Sequence, residues 1–576
     1  MGVPGFFMWI ISNYNKNHII MDKIDIEIDD LYLDANCLFH PQCFKVIEEY
    51  EVVDSTINLE QIMINKIIEY TDYIIKFVNP KKKIFIAVDG VAPMAKMNQQ
   101  RKRRFKSVYD NDIRNKIKEK YNKNIIDWNN TTITPGTEFM EKLHNYIVNY
   151  IATIKHIKVI YSSYHTCGEG EHKIFEDIKL ENNNNAIAIY GLDADLIFLS
   201  LATNMNNLYL LREKNVLNKK IKSPTRDVQN FENDCENTLL IYISVDALKW
   251  CINTKIKSMI NIENNNTTNI NIDFVNDFIF ICYFLGNDFI PHIPSIDIYT
   301  GGLDMIIKNY VKLYVKFKKN ILEISQKEIK INIKFLTCLL KYFSNVEDYY
   351  FKQIMPKYKN TNNKICKSDD PYDIDIWELD NLINVKTKDN INLGEDDKCE
   401  YKSRYYTYYY GSGEHEDILI DDMCREYFTG LVWTLKYYFK TNTSNCPSWD
   451  WQYPFTTSPF ISDLCIYLEN NDINKIGFEK TDPITPLEQL LIVLPPLCYK
   501  LLPVNYGHLM IFDESPIIDL YPIKVYIETT NIDMLWKAIP LLPIVNINRI
   551  KRAISEIKLN KKEQYRNAVF GNINNY

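Results

Sequence analysis

The chain has 576 residues and a formal net charge of −7, with 46% hydrophobic and 24% charged residues. That balance is ordinary for a globular chain with a sizeable core, and apolar stretches such as Ile279–Leu285 are too short to span a bilayer. The 13 Cys are scattered without a C-x-x-C pair or a Cys/His grid, which excludes a disulfide framework and a structural zinc and fits a reduced intracellular compartment.

The first residues, Met1-Gly2-Val3-Pro4-Gly5-Phe6-Phe7, lack the basic start and long apolar run of a secretory signal, and Phe6 stands where N-myristoylation requires Ser or Thr. Leu31–Leu33 opens a series of short, β-branched or aromatic runs that continues with Ile84–Val88, Val159–Tyr161 and Ala186–Tyr190. Such runs fit strands covered on both faces of a mostly parallel sheet. Between them, Leu59–Phe77 and Gly136–Ile154 read as helices, so the expected architecture is α/β.

Three of these strands run into acidic residues: Asp34, Asp89, and the pair Asp193 and Asp195. In open α/β sheets the ligand crevice lies beyond the carboxyl ends of the strands, so these acids are expected to meet. Directly after Asp89 comes a basic run in which Lys96, Gln100, Arg103 and Arg104, at i, i+4, i+7 and i+8, share one helical face. Such a face could hold a terminal phosphate; a solvated basic helix is the plainer alternative. Glu169 and Glu171 follow in Gly168-Glu169-Gly170-Glu171-His172, and Asp288 in Gly286-Asn287-Asp288-Phe289. Any one of these acids could be a helix cap or a turn residue. Seven together suit Mg²⁺ or Mn²⁺, two ions about 3.5–4 Å apart acting on an in-line phosphodiester displacement.

Two stretches, Lys214 to Asn237 and Asn345 to Glu400, turn polar and irregular and read as an insertion and a linker. The chain is thereby divided into residues 1–344, 345–400 and 401–576, the last part aromatic and proline-rich with Trp449, Trp451, Tyr453 and Pro454. The net negative charge is awkward for a nucleic-acid binder, but the acids cluster in a few motifs and the basic run stands apart from them.

Together these residues resemble the XRN family of 5′→3′ exoribonucleases. The likeness takes in Met1–Pro4, Leu33–Asn36, Val88–Pro93, Ala95–Arg101 (AKMNQQR), Gly168–Lys173 (GEGEHK), Tyr190–Leu196, Leu210–Glu213 and Gly286–Ser295. It continues with Arg404–Tyr406, Pro447–Trp451, Pro459–Asp463 and Leu541–Pro543, in order along nearly the whole chain. The resemblance implies a nuclease core like that of flap endonucleases and PIN-type nucleases, with a second mixed region packed on the active site. It implies that Asp34, Asp89, Glu169, Glu171, Asp193, Asp195 and Asp288 hold the metal ions and that Lys96, Gln100, Arg103 and Arg104 hold a 5′-phosphate. It further implies that His40 and one of Trp449 and Trp451 sandwich the first base, although core packing is the plain reading of each ring alone.

The implied substrate is single-stranded RNA with a 5′-monophosphate. The implied protein is a monomer inside the cell, cytoplasmic or nuclear, with decapping or RNA-processing factors as partners and no membrane. The sequence departs from the family pattern at Gly5, Cys37, Met94 and Cys167, where a basic residue, Gly, Arg and Pro are usual. The Asn-, Ile- and Lys-rich composition and a chain that stops shortly after the second region suggest a minimal-core member from a large DNA virus or an AT-rich protist. The rival expectations are a flap-type DNA nuclease and a catalytically silent RNA-binding scaffold.

Overall fold

The structure, a computed structural model, describes the chain except residues 1–4, 15, 50–57, 124, 126–127, 182, 204, 215–238, 266–269, 326–327, 362–364, 384–388, 390, 412, 440–445, 531, 533 and 576. The start motif Met1–Pro4 and nearly all of the expected insertion at Lys214 to Asn237 therefore lie outside the described residues.

Eight strands form one sheet: β1 (Ile20–Met21), β2 (Asp30–Asp34), β3 (Lys83–Ala87), β4 (Lys158–Ser162), β5 (Ile187–Tyr190), β6 (Leu208–Glu213), β7 (Leu240–Ser244) and, far along the chain, β12 (Ile573–Asn574). Two small hairpins, β8 (Leu322–Ile324) with β9 (Ile329–Ile331) and β10 (Tyr526–Glu528) with β11 (Ile539–Leu541), stand apart. The large sheet runs β1-β7-β6-β5-β2-β3-β4-β12. Its five central strands are parallel, and β7, β1 and β12 are added antiparallel at the two edges.

The four runs anticipated from the sequence are β2 to β5, each shifted by no more than a residue or two. Their side chains are buried on both faces, as a parallel sheet between helices requires. One face is covered by the helices Ala35–Glu49, Leu59–Val78 and Glu138–Thr153. The other is covered by a larger apolar cluster that mixes Phe6, Ile197 and Phe278 from the first half with Trp433, Tyr437 and Ile461 from the second. Among the described residues no helix is long and apolar enough to cross a membrane.

The stretch expected to be an irregular linker differs. Among its described residues are the helix Ile333–Tyr349, a π-helical continuation at Tyr350–Ile354, and the helices Met355–Thr361, Pro371–Asp380 and Lys398–Tyr410. Their aromatic residues are spaced widely among polar ones, which hides the pattern, but Tyr350, Phe351, Ile391, Tyr401, Tyr405 and Tyr406 meet in one small core with Phe460. The polar residues are engaged as well. Glu347 is buried, pairs with Lys398 at 2.9 Å and accepts the Ile461 backbone N–H at 2.9 Å. Asp380 pairs with Arg114, and Asp375 with Lys120 at 2.6 Å, tying the Pro371–Asp380 helix to the long basic helix Met94–Lys120.

Candidate active site

Because β2, β3, β4 and β5 are parallel, their carboxyl ends lie on one edge of the sheet, and the strand order reverses around β2. That is where an open α/β sheet leaves a crevice. Asp34 ends β2, Asp89 follows β3, Glu169 and Glu171 follow β4, and Asp193 and Asp195 follow β5. Asp288 arrives from the other cluster of the fold, after the helix Val275–Cys282 and a 3₁₀ turn that ends at Gly286 with φ 85°. The Asn287 side chain accepts the Phe289 and Ile290 backbone N–H groups at 2.9 and 3.0 Å, a local turn that fixes the direction of Asp288.

Two glycines make the convergence possible. A Cβ on Gly170 would stand 3.0 Å from Asp34 Oδ1 and 3.4 Å from Asp89 Oδ1, and one on Gly191 would meet Leu196 at 2.6 Å and Asp34 Cβ at 3.5 Å. The Gly170 N–H donates to Asp89 Oδ1 at 2.7 Å. The Asn36 side chain accepts the Asp89 backbone N–H at 3.0 Å, and the Cys37 thiol donates to Asp34 Oδ2 at 2.9 Å. Lys96 reaches from the first turn of the basic helix to Glu169 Oε2 at 2.6 Å and Asp288 Oδ2 at 2.9 Å. From the second half of the chain, Tyr437 donates its hydroxyl to Glu169 Oε1 at 2.9 Å.

Crowding so many carboxylates raises the cost of ionising them. Burial, then Asp89, pushes Asp34 up to about 7; burial, then Asp288, pushes Asp195 up to about 7. Glu171 stands well above its usual value, chiefly through burial with Asp195 and Glu169 adding to it. Burial would raise Asp288 too, but the Lys96 ammonium overrides it and holds that carboxyl below its usual range. Lys96 is itself desolvated, yet Asp288, Glu169 and Glu171 keep its pKa well above normal, so it stays charged.

Among the described residues Lys96 is the cation paired with these acids, of which Asp193 is exposed and the other six are buried or half-buried. Asp195 Oδ2 is buried without a hydrogen-bond partner among the described residues, and Glu169, Glu171 and His172 bring ligand atoms within 4.8 Å of one another. Hard oxygen donors, a charge deficit and a room walled by glycines fit divalent cations of the magnesium type.

The residues expected at a 5′-phosphate line the same helix but differ in their surroundings. Lys96 sits among the acids, whereas Gln100 and Arg104 lie one and two turns further on, both buried. Arg104 donates to Gln100 Oε1 at 3.3 Å and to Thr134 Oγ1 at 2.9 Å, which fixes its guanidinium plane. Arg103 is exposed. His40, half-buried on the Ala35–Glu49 helix, is pushed down by burial first and by Arg103 and Arg104 second, so its ring is neutral at physiological pH.

The two tryptophans separate clearly. The Trp449 carbonyl accepts the Met94 N–H at 2.8 Å, at the very start of the basic helix, while Trp451 stacks on Trp433 at 5.5 Å and donates to Glu426 at 3.4 Å. Sequence reading missed Tyr437 and Thr134. Neither carries a local signal, Tyr437 being one of 40 tyrosines.

Comparison with known proteins came out as follows. Residues 1–214 match the family described as XRN 5'-3' exonuclease N-terminus, and residues 269–386 and 378–573 match the Xrn1 helical domain. The chain is 31% identical over 628 residues to 5'-3' exoribonuclease 1 of Homo sapiens, covering 98% of this chain and 35% of that protein. It is 28% identical over 717 residues to 5'-3' exoribonuclease 2 of Debaryomyces hansenii, covering 96% of this chain and 70% of that one. The chain thus spans about a third of the length of the human relative. Among solved structures, the catalytic core of Rad2 in complex with DNA substrate aligns with TM-score 0.29 and 12% identity, covering 75% of this chain and 100% of that one.

Proposed function

The chain belongs to the XRN family, and from that premise we propose that it hydrolyses single-stranded RNA bearing a 5′-monophosphate, one nucleotide at a time from the 5′ end. The observation that carries the reading is the adjacency of seven carboxylates to one face of a basic helix, with Lys96 touching both Glu169 and Asp288. Asp34, Asp89, Glu169, Glu171, Asp193, Asp195 and Asp288 would hold divalent cations, two Mg²⁺ or Mn²⁺ ions, which when bound would supply Lewis-acid polarisation of the scissile phosphodiester.

The chain's own residues do the rest. Arg104, held by Gln100 and Thr134, offers a fixed fork to the terminal phosphate, and Arg103 adds charge at the exposed rim. Lys96 keeps a positive charge between that phosphate and the acids. His40, neutral, is a flat and sequence-tolerant stacking surface for the first base. The opposite wall would come from Trp449, buried in the core with its carbonyl on the Met94 N–H, or from Trp451, half-buried and stacked on Trp433. The proposed substrate is a single-stranded 5′ end exposed by an earlier step, such as decapping inside the cell, and the proposed enzyme is a monomer.

The test is a time course on RNAs with 5′-monophosphate, 5′-triphosphate and capped ends, in Mg²⁺ and in EDTA. Mononucleotide release from the monophosphate alone, only with Mg²⁺, is expected. Equal loss of all three would overturn the phosphate notch. Internal cutting of a flapped or circular DNA would favour a flap nuclease, and binding without turnover a silent scaffold.

A further inference from the structure

Glu169 ends a loop, Ser163–Glu169, between β4 and the helix Gly170–Glu181, whose first turn carries Glu171, and a ligand-bearing loop must be held within a few tenths of an ångström to work. One side of this loop is bonded to its neighbour in the sheet. The Gly90 N–H donates to the Gly168 carbonyl at 2.9 Å, the Gly168 N–H donates to the Val91 carbonyl at 2.7 Å, and Lys173 donates to the carbonyls of Val88 at 2.7 Å and Ser163 at 2.9 Å.

The other side is bonded to a segment just over 400 positions later in the chain. The His165 ring lies between Tyr164 and Phe570, stacked on each with centroids 4.0 Å apart. His165 Nδ1 stands 2.7 Å from the Ala568 carbonyl, the Thr166 hydroxyl donates to the Phe570 carbonyl at 3.0 Å, and the Phe570 N–H donates to the His165 carbonyl at 3.2 Å. The segment is anchored at both ends. Before it, Arg566 donates to the carbonyls of Gly136 at 2.9 Å and Leu501 at 3.1 Å, and Asn567 accepts the Leu487 N–H at 2.9 Å. After it, β12 pairs with β4, and the Asn575 side chain bonds Val159, Ile154 and Ile157.

We infer that residues 566–575 are a clasp whose work is to position the Glu169 and Glu171 carboxylates, with Phe570 as its central positioning residue. The clasp closes the sheet edge at β4 and pins the two residues, His165 and Thr166, that immediately precede the ligand loop's turn at Gly168. Among the described residues it has no hydrogen bond or ion pair to Glu169 or Glu171, so its effect reaches them through the backbone of 165–168. The consequence for turnover rests on the proposed nuclease reading; the consequence for the loop does not.

The test uses the full chain with Phe570→Ala, its conservative counterpart Phe570→Tyr, and the milder Thr166→Val in case the first fails to fold. Amide hydrogen exchange over 163–171, Mn²⁺ titration followed by the EPR signal of the free ion, and steady-state kinetics on 5′-monophosphorylated RNA are measured together. Phe570→Ala is expected to speed exchange through 163–171, weaken Mn²⁺ about tenfold and lower kcat about tenfold with KM little changed, as loss of an outer support of a metal ligand does. Phe570→Tyr is expected to restore all three, and Thr166→Val to reproduce them in part. Faster exchange confined to 566–575, or unchanged Mn²⁺ affinity, would overturn the clasp. Loop exchange and Mn²⁺ affinity shifting together in a protein that leaves the RNA intact would uphold the clasp and sink the nuclease reading instead.

Discussion

Asp34 and Asp195 each stand near pKa 7, some three units above an ordinary carboxyl, because each is buried against other acids. The sign of the consequence follows from linkage. Between about pH 4 and 7 the folded, cation-free protein holds protons that the unfolded chain releases, so its stability falls as pH rises through that window. Divalent cations need the ionised forms and displace those protons, so their affinity rises with pH through about 7. Thermal melts in EDTA are therefore expected to run lower at about pH 8 than at about pH 5.5, with Mn²⁺ restoring more stability at the higher pH. A melting temperature that climbs with pH in EDTA would contradict the crowding of these acids. At the same scale, Asp195→Ala is expected to abolish turnover while RNA binding, measured by a gel shift, persists through the basic helix and the stacking rings.

The helix Met94–Lys120 shows what one element can do with two faces. Arg104 bonds Gln100 and Thr134, but Arg101, three positions earlier, is 2% exposed and donates to the Ile492 carbonyl at 2.6 Å and to the Leu520 carbonyl, with its guanidinium 4.5 Å over the Phe105 ring. It is a bolt between the two halves. Arg101→Met leaves two buried carbonyls unpaired and is expected to cost roughly 2–4 kcal/mol in urea unfolding without altering the preference for a 5′-monophosphate. The helix Glu416–Phe439 plays the complementary part. Tyr437→Phe removes the hydroxyl from Glu169 and is expected to lower kcat about tenfold with little change in KM.

These contrasts mark how far a sequence can be read. Asp34, Asp89, Asp193 and Asp195 were legible because each closely follows a short apolar run, and parallel topology sends such ends to one edge, whereas Glu169, Glu171 and Asp288 stand in glycine-bearing turns. The role of Arg101 was not legible, because the carbonyls that it bonds belong to Ile492 and Leu520, about 400 positions away. The helices of 345–400 were hidden for a related reason. Their cores are single aromatics set among polar residues that find partners only on other elements, such as Arg114 and Lys120.

At the scale of the whole molecule, the two halves share one interior. The largest apolar cluster joins Phe6 and Phe278 to Trp433, Tyr437, Tyr438 and Ile461, and Phe289 packs edge-on against Trp433 at 4.9 Å. A fragment holding residues 1–344 retains all seven acids yet loses the cover of that interior. It is expected to aggregate, or to show a collapsed near-ultraviolet circular dichroism spectrum, and to cleave no RNA. The clasp extends the same dependence to the last stretch of chain, with a temporal corollary. A polypeptide leaving the ribosome amino end first carries every acid by Asp288 but lacks the fastening from Phe570 for nearly 300 positions thereafter. On the proposed function, the growing chain would therefore stay inert toward RNA until that fastening has emerged.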